Sequence, residues 1–128
     1  MKIRIKGNFI RYRLVQHEVL TLSKTGRLLE TTCFGPMRDQ VFSYALESKE
    51  GITGLQAAFD GRTITLYLPV EDAHAWPAGE RVGFENSIEV APGVVLHLLL
   101  EKDFVCLEDV SEDQSDNYPN PRLARPAS

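Results

Sequence analysis

An internal duplication is the strongest constraint on how this chain can fold. At one constant offset, residues of the first half meet identical residues of the second half, among them Gly7, Ile10, Leu14 and Arg27 with Gly61, Ile64, Leu68 and Arg81. In both halves three of these residues lie in or beside a strand-like run, a short helical stretch follows, and the fourth begins a second strand-like run. A repeat of this length is one supersecondary unit, so the shared order of elements indicates two similar units. It indicates no chemistry.

Hydrophobic periodicity predicts the elements of these units. Apolar residues spaced as on one helix face predict a helix over residues 16–25, and a second helix is predicted between Pro69 and Pro77. Asp60-Gly61 lies between two alternating runs and predicts a hairpin turn. Alternation of apolar and polar residues predicts strands at residues 2–6, 10–14, 27–34, 41–46, 52–59, 63–68, 81–88 and 94–101.

These elements predict an α+β fold, a largely antiparallel sheet with two short helices on one face. Each of the two pseudo-duplicated units contains a strand, a helix and three strands, at about residues 7–59 and 61–107. Both units belong to a single domain over residues 1–110. Residues 111–128 form an acidic C-terminal extension that contains proline and asparagine.

Two known folds are built from paired units of this order, the vicinal-oxygen-chelate (glyoxalase-like) fold and the sliding-clamp fold. Both are likenesses of topology, and a fold does not determine a function. The helices of a clamp face DNA and need basic residues. Here the helical stretches carry Glu18, Glu71 and Asp72, which have the wrong sign for phosphate. A clamp function is therefore set aside.

Composition excludes further classes of protein. The 128 residues carry a net charge of -4, which argues against a general nucleic-acid binder, because neutralising phosphates supplies most of that affinity. No apolar run approaches the roughly 20 residues that span a bilayer, and the N-terminus lacks the apolar stretch of a signal peptide. We therefore expect a cytoplasmic protein that contacts no membrane, with Cys33 and Cys106 as free thiols.

The basic first pair of strands has a pattern that is typical of single-stranded nucleic-acid binding. Arg11 and Arg13 are interleaved with Phe9 and Tyr12, and such a surface combines charge with base stacking. A solvated strand face has the same pattern, so a weak single-stranded nucleic-acid binder ranks third among the functional hypotheses.

The second hypothesis, from a different class, is a metal-dependent enzyme on a duplicated glyoxalase-like sheet. His97 and Glu101 share one face of the last long strand, and Asp103 follows them. Open catalytic metal sites use about three such ligands, so these three residues are the candidate ligands of a divalent metal. The chain has no His-Glu-x-x-His motif, paired Cys-x-x-Cys or glycine-rich phosphate loop, and we predict no catalytic residue and no other cofactor.

The first hypothesis rests on the acidic C-terminal segment. Glu112, Asp113 and Asp116 lie in a run of carboxylates and amides. Such a run is typical of a solvated tail, here anchored or ended around Tyr118, and it can also bind a hard cation. The hypothesis is a non-enzymatic binding or interaction module that contacts a protein or small-molecule partner through this segment or the adjoining sheet. A second copy of the chain can also pair along an open sheet edge as a homodimer.

The two ends of the chain resemble a small family of uncharacterised bacterial proteins. The resemblance extends over nearly the whole chain and is carried by the runs KIRIKGN (residues 2–8), EKDFVCL (101–107), EDQSD (112–116) and YPNP (118–121). It implies a bacterial cytoplasmic protein of about this length. It brings no activity, ligand or catalytic residue, so the function stays unknown from sequence.

Overall fold

A computed structural model describes residues 1–104, 116, 118 and 119. Its strands and helices confirm the predicted α+β class. A short 3-10 helix spans Arg38–Gln40. In chain order the elements are β1 (Lys2–Lys6), β2 (Phe9–Leu14), α1 (Gln16–Thr25), β3 (Arg27–Cys33), β4 (Val41–Lys49), β5 (Gln56–Phe59), β6 (Thr63–Pro69), α2 (Val70–Ala75), β7 (Gly83–Ala91) and β8 (Val94–Lys102).

The described strands form two four-stranded mixed sheets instead of one sheet. Sheet 1 has the order β1-β2-β8-β7, and sheet 2 has the order β3-β4-β6-β5. Each sheet joins one antiparallel hairpin from the first half of the chain to one from the second half. The joins are parallel, β2 with β8 and β4 with β6. Paired strands that follow each other in the chain are antiparallel, as their short connecting turns predicted. The two pairs between strands that are distant in sequence are parallel, which was not predicted.

The strand register repeats the duplication. In sheet 1, Phe9 pairs with His97; in sheet 2, its equivalent Thr63 pairs with Ser43, the equivalent of His97. The same offset relates the β1–β2 and β5–β6 pairings. Of the four matched pairs that begin with Gly7, Ile10, Leu14 and Arg27, the first three are therefore structural equivalents. The fourth is not, because the β7–β8 register shifts so that Gly83 is opposite Glu101, and Arg81 lies before β7.

The strand pairing also defines where the repeat begins. Residues 7–59 contain β2, α1, β3, β4 and β5, the predicted order of a strand, a helix and three strands. The paired hairpins, however, match completely when the unit starts one strand earlier. The two units are then β1-β2-α1-β3-β4 and β5-β6-α2-β7-β8, each a hairpin, a helix and a hairpin. The predicted domain limit at residue 110 lies outside the described residues and stays a prediction.

A single hydrophobic core joins both sheets and both helices. In α1 the core residues are Val19 and Leu22, and the equivalent positions are Ala73 in α2 and Trp76 directly after it. Gly26 ends α1 in the left-handed conformation, with φ 78°, which glycine adopts at little cost. The core members on the strands are Tyr12, Leu14, Leu46, Ile64, Leu66, Leu68, Phe84, Leu98 and Leu100.

Candidate functional site

An open apolar cleft of about 440 Å³ lies between the two sheets. Leu14 and Leu68, where β2 and β6 end before the helices, are fully buried. At the opposite ends of the same strands, Ile10 and Ile64 line the cleft. All of the lining residues are apolar: Ile5, Ile10, Phe42, Ala57, Ala58, Phe59, Ile64, Val90 and Leu96.

The two halves of the chain build the cleft from equivalent positions. Six of the lining residues form three equivalent pairs, which are Ile5 with Phe59, Ile10 with Ile64, and Phe42 with Leu96. The first pair lies on β1 and β5, the second on β2 and β6, and the third on β4 and β8. The cleft is therefore a product of the duplication, because each sheet contributes one hairpin from each half.

Three large apolar side chains at the cleft are exposed to solvent. Ile5 is 52%, Phe59 64% and Val90 54% exposed. Scattered exposed hydrophobic residues are ordinary, whereas a group of them around a concavity marks a binding surface. The volume lies within the range of roughly 300–1,000 Å³ that is usual for small-molecule sites.

A second, more polar depression of about 390 Å³ adjoins the cleft and shares Phe42 with it. Arg62 lines this depression from the β5–β6 turn. The Asp60 carboxylate accepts hydrogen bonds from the backbone N–H groups of Thr63 and Arg62, at 2.7 and 2.8 Å. These two bonds, with that of Thr63 the larger cause, lower the pKa of Asp60. The hairpin predicted at Asp60-Gly61 is confirmed, and its turn lies beside the cleft.

The predicted metal ligands lie on or near the last strand, away from the cleft. His97 and Glu101 point to the same face of β8, but four residues of strand separate them by about 13 Å. The imidazole Nδ1 of His97 lies 2.8 Å from the Ser87 hydroxyl, and the Glu101 carboxylate accepts a hydrogen bond from Arg13 at 2.8 Å. Within the described part of the chain, no group of three or more His, Cys, Asp or Glu residues could hold a metal ion.

Asp103, the third predicted metal ligand, is buried at the end of β8. Its carboxylate lies 3.3 Å from the ammonium group of Lys2. Its backbone N–H donates to the carbonyl of Leu14, and its own carbonyl accepts from the N–H of Tyr118, both at 2.8 Å. In this position Asp103 links the first strands to the C-terminal segment.

Two of the predicted acidic contact residues, Glu112 and Asp113, lie outside the described residues. Asp116 contacts the start of α1, where its carbonyl accepts a hydrogen bond from the N–H of Gln16 at 3.1 Å and its carboxylate contacts Nδ1 of His17. Tyr118 packs its ring edge against Phe104, with centroids 5.8 Å apart. The Tyr118 ring thus lies against the fold, as expected of a residue that anchors this segment.

The structure corrects the composition of the surface proposed for single-stranded nucleic acid. Tyr12 is fully buried, and its hydroxyl donates a hydrogen bond to the carbonyl of Ile64 at 3.2 Å. It therefore lies on the opposite face of β2 from Arg11 and Arg13, because successive strand residues alternate between faces. Of the two aromatic residues, only Phe9 shares a face with the arginines.

Two further expectations concern the thiols and membranes. Cys33 is an exposed free cysteine, while Cys106 lies outside the described residues. Among the helices that the structure describes, none has the length and apolar character required to cross a membrane.

Sequence reasoning missed the cleft. The alternation in β1 and β6 places Ile5 and Ile64 on the inner faces of their strands, and this signal was readable. The alternation of apolar and polar residues does not indicate, however, that two sheets form and that their inner faces separate at one end. That separation depends on the pairing of β2 with β8 and of β4 with β6.

Comparison with known proteins identifies the family. The chain belongs to a family of unknown function, DUF7009, whose model matches residues 1–122. This confirms the resemblance to an uncharacterised family. No curated protein and no solved structure matches the chain. Since the family's function is unknown, only the chain's own residues bear on what it does.

Proposed function

For a member of this family of unknown function, we propose a non-enzymatic binding module that holds a small apolar molecule in the cleft between its sheets. The observation that carries the proposal is the cleft itself, about 440 Å³ in volume, whose lining among the described residues is entirely apolar. We place the module in the bacterial cytoplasm, and the exposed free thiol of Cys33 suits a reducing compartment.

Burial of apolar surface supplies the driving force for binding. Ile5, Phe59 and Val90 are each about half exposed or more. Covering their exposed parts with an apolar ligand gains on the order of 3 kcal/mol, and the ligand gains a comparable term for its own surface. Binding also costs little side-chain entropy, because the strands already hold the lining residues in place before the ligand enters.

The chemistry of the lining supports binding rather than catalysis. Acid–base and nucleophilic catalysis need a titratable or nucleophilic side chain within reach of the reacting atoms. The residues that line the cleft carry only hydrocarbon side chains. Specificity then comes from shape, with Arg62 in the adjoining depression as a cationic group that a polar end of the ligand would meet.

The substitution Ile5→Ser is expected to weaken binding of the neutral fluorescent dye Nile red by about tenfold. It removes apolar contact and adds a hydroxyl to an apolar site. Leu29→Ser is the matched control. Leu29 is also on an edge strand, β3, and it is 47% exposed against 52% for Ile5, but it does not line the cleft. The affinity is measured by titration of dye fluorescence.

Phe59→Ser tests the other half of the duplication. Phe59 occupies the position equivalent to Ile5 and also lines the cleft, so its replacement should weaken dye binding in the same direction. Equal dye affinity in the Ile5, Phe59 and Leu29 variants, or dye fluorescence that never saturates, would overturn the proposal. Thermal unfolding of each variant checks that the fold is retained.

A further inference from the structure

On the outer face of β1 and β2, four cationic side chains surround a depression of about 160 Å³, here called the basic depression. We propose that it binds the phosphate or sulfate group of a small anionic molecule. The cations are Lys2 and Arg4 of β1 and Arg11 and Arg13 of β2. This site is separate from the cleft and does not depend on the function proposed for it.

The strand register brings these like charges directly opposite one another. Lys2 pairs with Arg13, and Arg4 pairs with Arg11. Like charges at directly opposed positions destabilise a sheet, so two such neighbouring pairs need compensating negative charge.

Two described carboxylates, one on β8 and one on the residue after it, contribute negative charge there. Glu101 accepts a hydrogen bond from Arg13 at 2.8 Å and lies 3.7 Å from Nε of Arg11. Asp103 lies 3.3 Å from the ammonium group of Lys2. Within the described residues Arg4 makes no ion pair with a carboxylate. Among the described residues, four cations therefore face two carboxylates at the basic depression.

Arg11 provides an independent sign of a missing acceptor. Its Nε is buried, and no group in the described part of the chain accepts a hydrogen bond from it. The distance to Glu101 is too long for a hydrogen bond. Burial, followed by the charge of Arg13, lowers the pKa of Arg11, which reflects the same uncompensated environment. A buried polar group without a partner is destabilising, and an anionic oxygen would supply the acceptor.

The size of the basic depression selects the class of anion. Its volume of about 160 Å³ corresponds to about five water molecules at roughly 30 Å³ each, enough for the five non-hydrogen atoms of a phosphate or sulfate group. A planar guanidinium group can donate two parallel hydrogen bonds to two oxygens of such an anion. Lys2 and Arg13 are 55% and 40% exposed, so both can adjust to a bound group.

Strand geometry keeps this site apart from the cleft. Arg4 and Ile5 are neighbours in β1, as are Arg11 and Ile10 in β2, and adjacent strand residues point to opposite faces. Anion binding and dye binding can therefore be measured separately on the same protein.

The test is calorimetric titration of the whole chain with inorganic phosphate, and in a parallel arm with sulfate, at constant ionic strength set with sodium chloride. Saturable binding at one site is expected. Arg4→Gln should weaken it by about tenfold, as expected for one charge-assisted contact. Arg4 is exposed, so this variant should fold normally. It should also bind Nile red like the wild type.

Lys6→Gln is the matched control. Lys6 is an exposed cation on the same face of β1 as Arg4, but it is paired opposite Phe9 and does not line the basic depression. Phosphate affinity should be unchanged in this variant. If both substitutions weakened phosphate binding equally, the cause would be diffuse surface charge and the proposal would be overturned. A heat of binding that never saturates with added phosphate would also overturn it. Tight binding of a single-stranded oligonucleotide that phosphate does not displace would also overturn it.

Discussion

Replacing Trp76 with alanine is expected to lower the free energy of unfolding by about 3–5 kcal/mol. Trp76 is 1% exposed and is the largest fully buried side chain among the described residues. Its indole N–H donates a hydrogen bond to the carbonyl of Arg81 at 2.8 Å. Its ring meets Phe84 edge-on, with centroids 5.1 Å apart. The variant loses this packing and leaves a cavity where α2 meets β7.

Urea unfolding followed by circular dichroism measures the loss, since the chain has one tryptophan and its fluorescence disappears with the substitution. Trp76→Phe keeps most of the aromatic volume and loses the N–H, so a smaller decrease is expected. Val82→Ala, at a 46% exposed position close by, is the control and should change stability by no more than about 0.5 kcal/mol. A loss below about 1 kcal/mol for Trp76→Ala would contradict the packing described for α2.

Alkaline pH is expected to destabilise the fold through Tyr12. Burial raises the pKa of Tyr12 well above its usual value of 10.0. Above pH 10 the unfolded chain therefore releases the phenol proton while the folded chain keeps it, and the unfolded state binds fewer protons. By linkage, stability then falls as pH rises, by about 1.4 kcal/mol per pH unit for one such group.

Other buried groups modify this pH dependence in known directions. Burial also raises the pKa values of Tyr44 and Tyr118, which adds to the loss. Burial lowers the pKa of Lys102 below 10.5. The unfolded chain then holds that proton to higher pH than the folded chain, so this group opposes the loss until about pH 10.5. The steepest fall is therefore expected above that pH.

Urea unfolding at a series of alkaline pH values measures the slope. Tyr12→Phe should be less stable at neutral pH by about 1 kcal/mol, because the hydrogen bond to the Ile64 carbonyl is lost, but it should have a shallower decline above pH 10. Tyr67→Phe, on the outer face of β6, is the matched control and should keep the wild-type slope. A wild-type slope in Tyr12→Phe would show that Tyr12 does not cause the decline.

Most of the local structure was readable from sequence. The predicted helix over residues 16–25 has the bounds of α1, and the predicted hairpin at Asp60-Gly61 joins β5 to β6. Gly7 and Gly61 both have positive φ, 54° and 95°, which explains why the duplication keeps glycine in these turns. The predicted strand over residues 52–59 is shorter in the structure, where β5 begins at Gln56.

The candidate sites were less readable, because each depends on groups that are distant in sequence. Alternation predicted that His97 and Glu101 share one face of a strand, and in the structure they do. Sharing a face does not bring two side chains together when they are four residues apart along the strand. Glu101 instead meets Arg13, with which it is paired across β2 and β8. The nucleic-acid hypothesis grouped Tyr12 with Arg11 and Arg13 because they are close in sequence. In β2, however, Tyr12 points to the opposite face and is buried in the core.

The sequence by itself determined the α+β class, the duplication, the turns and the alternation of faces along β1 and β6. These features arise from local periodicity and turn chemistry, which short segments carry on their own. Only the tertiary structure decided that hairpins from different halves share a sheet through parallel pairs. The cleft and the basic depression follow from that choice, because packing across distant segments sets which side chains meet and where two sheets separate.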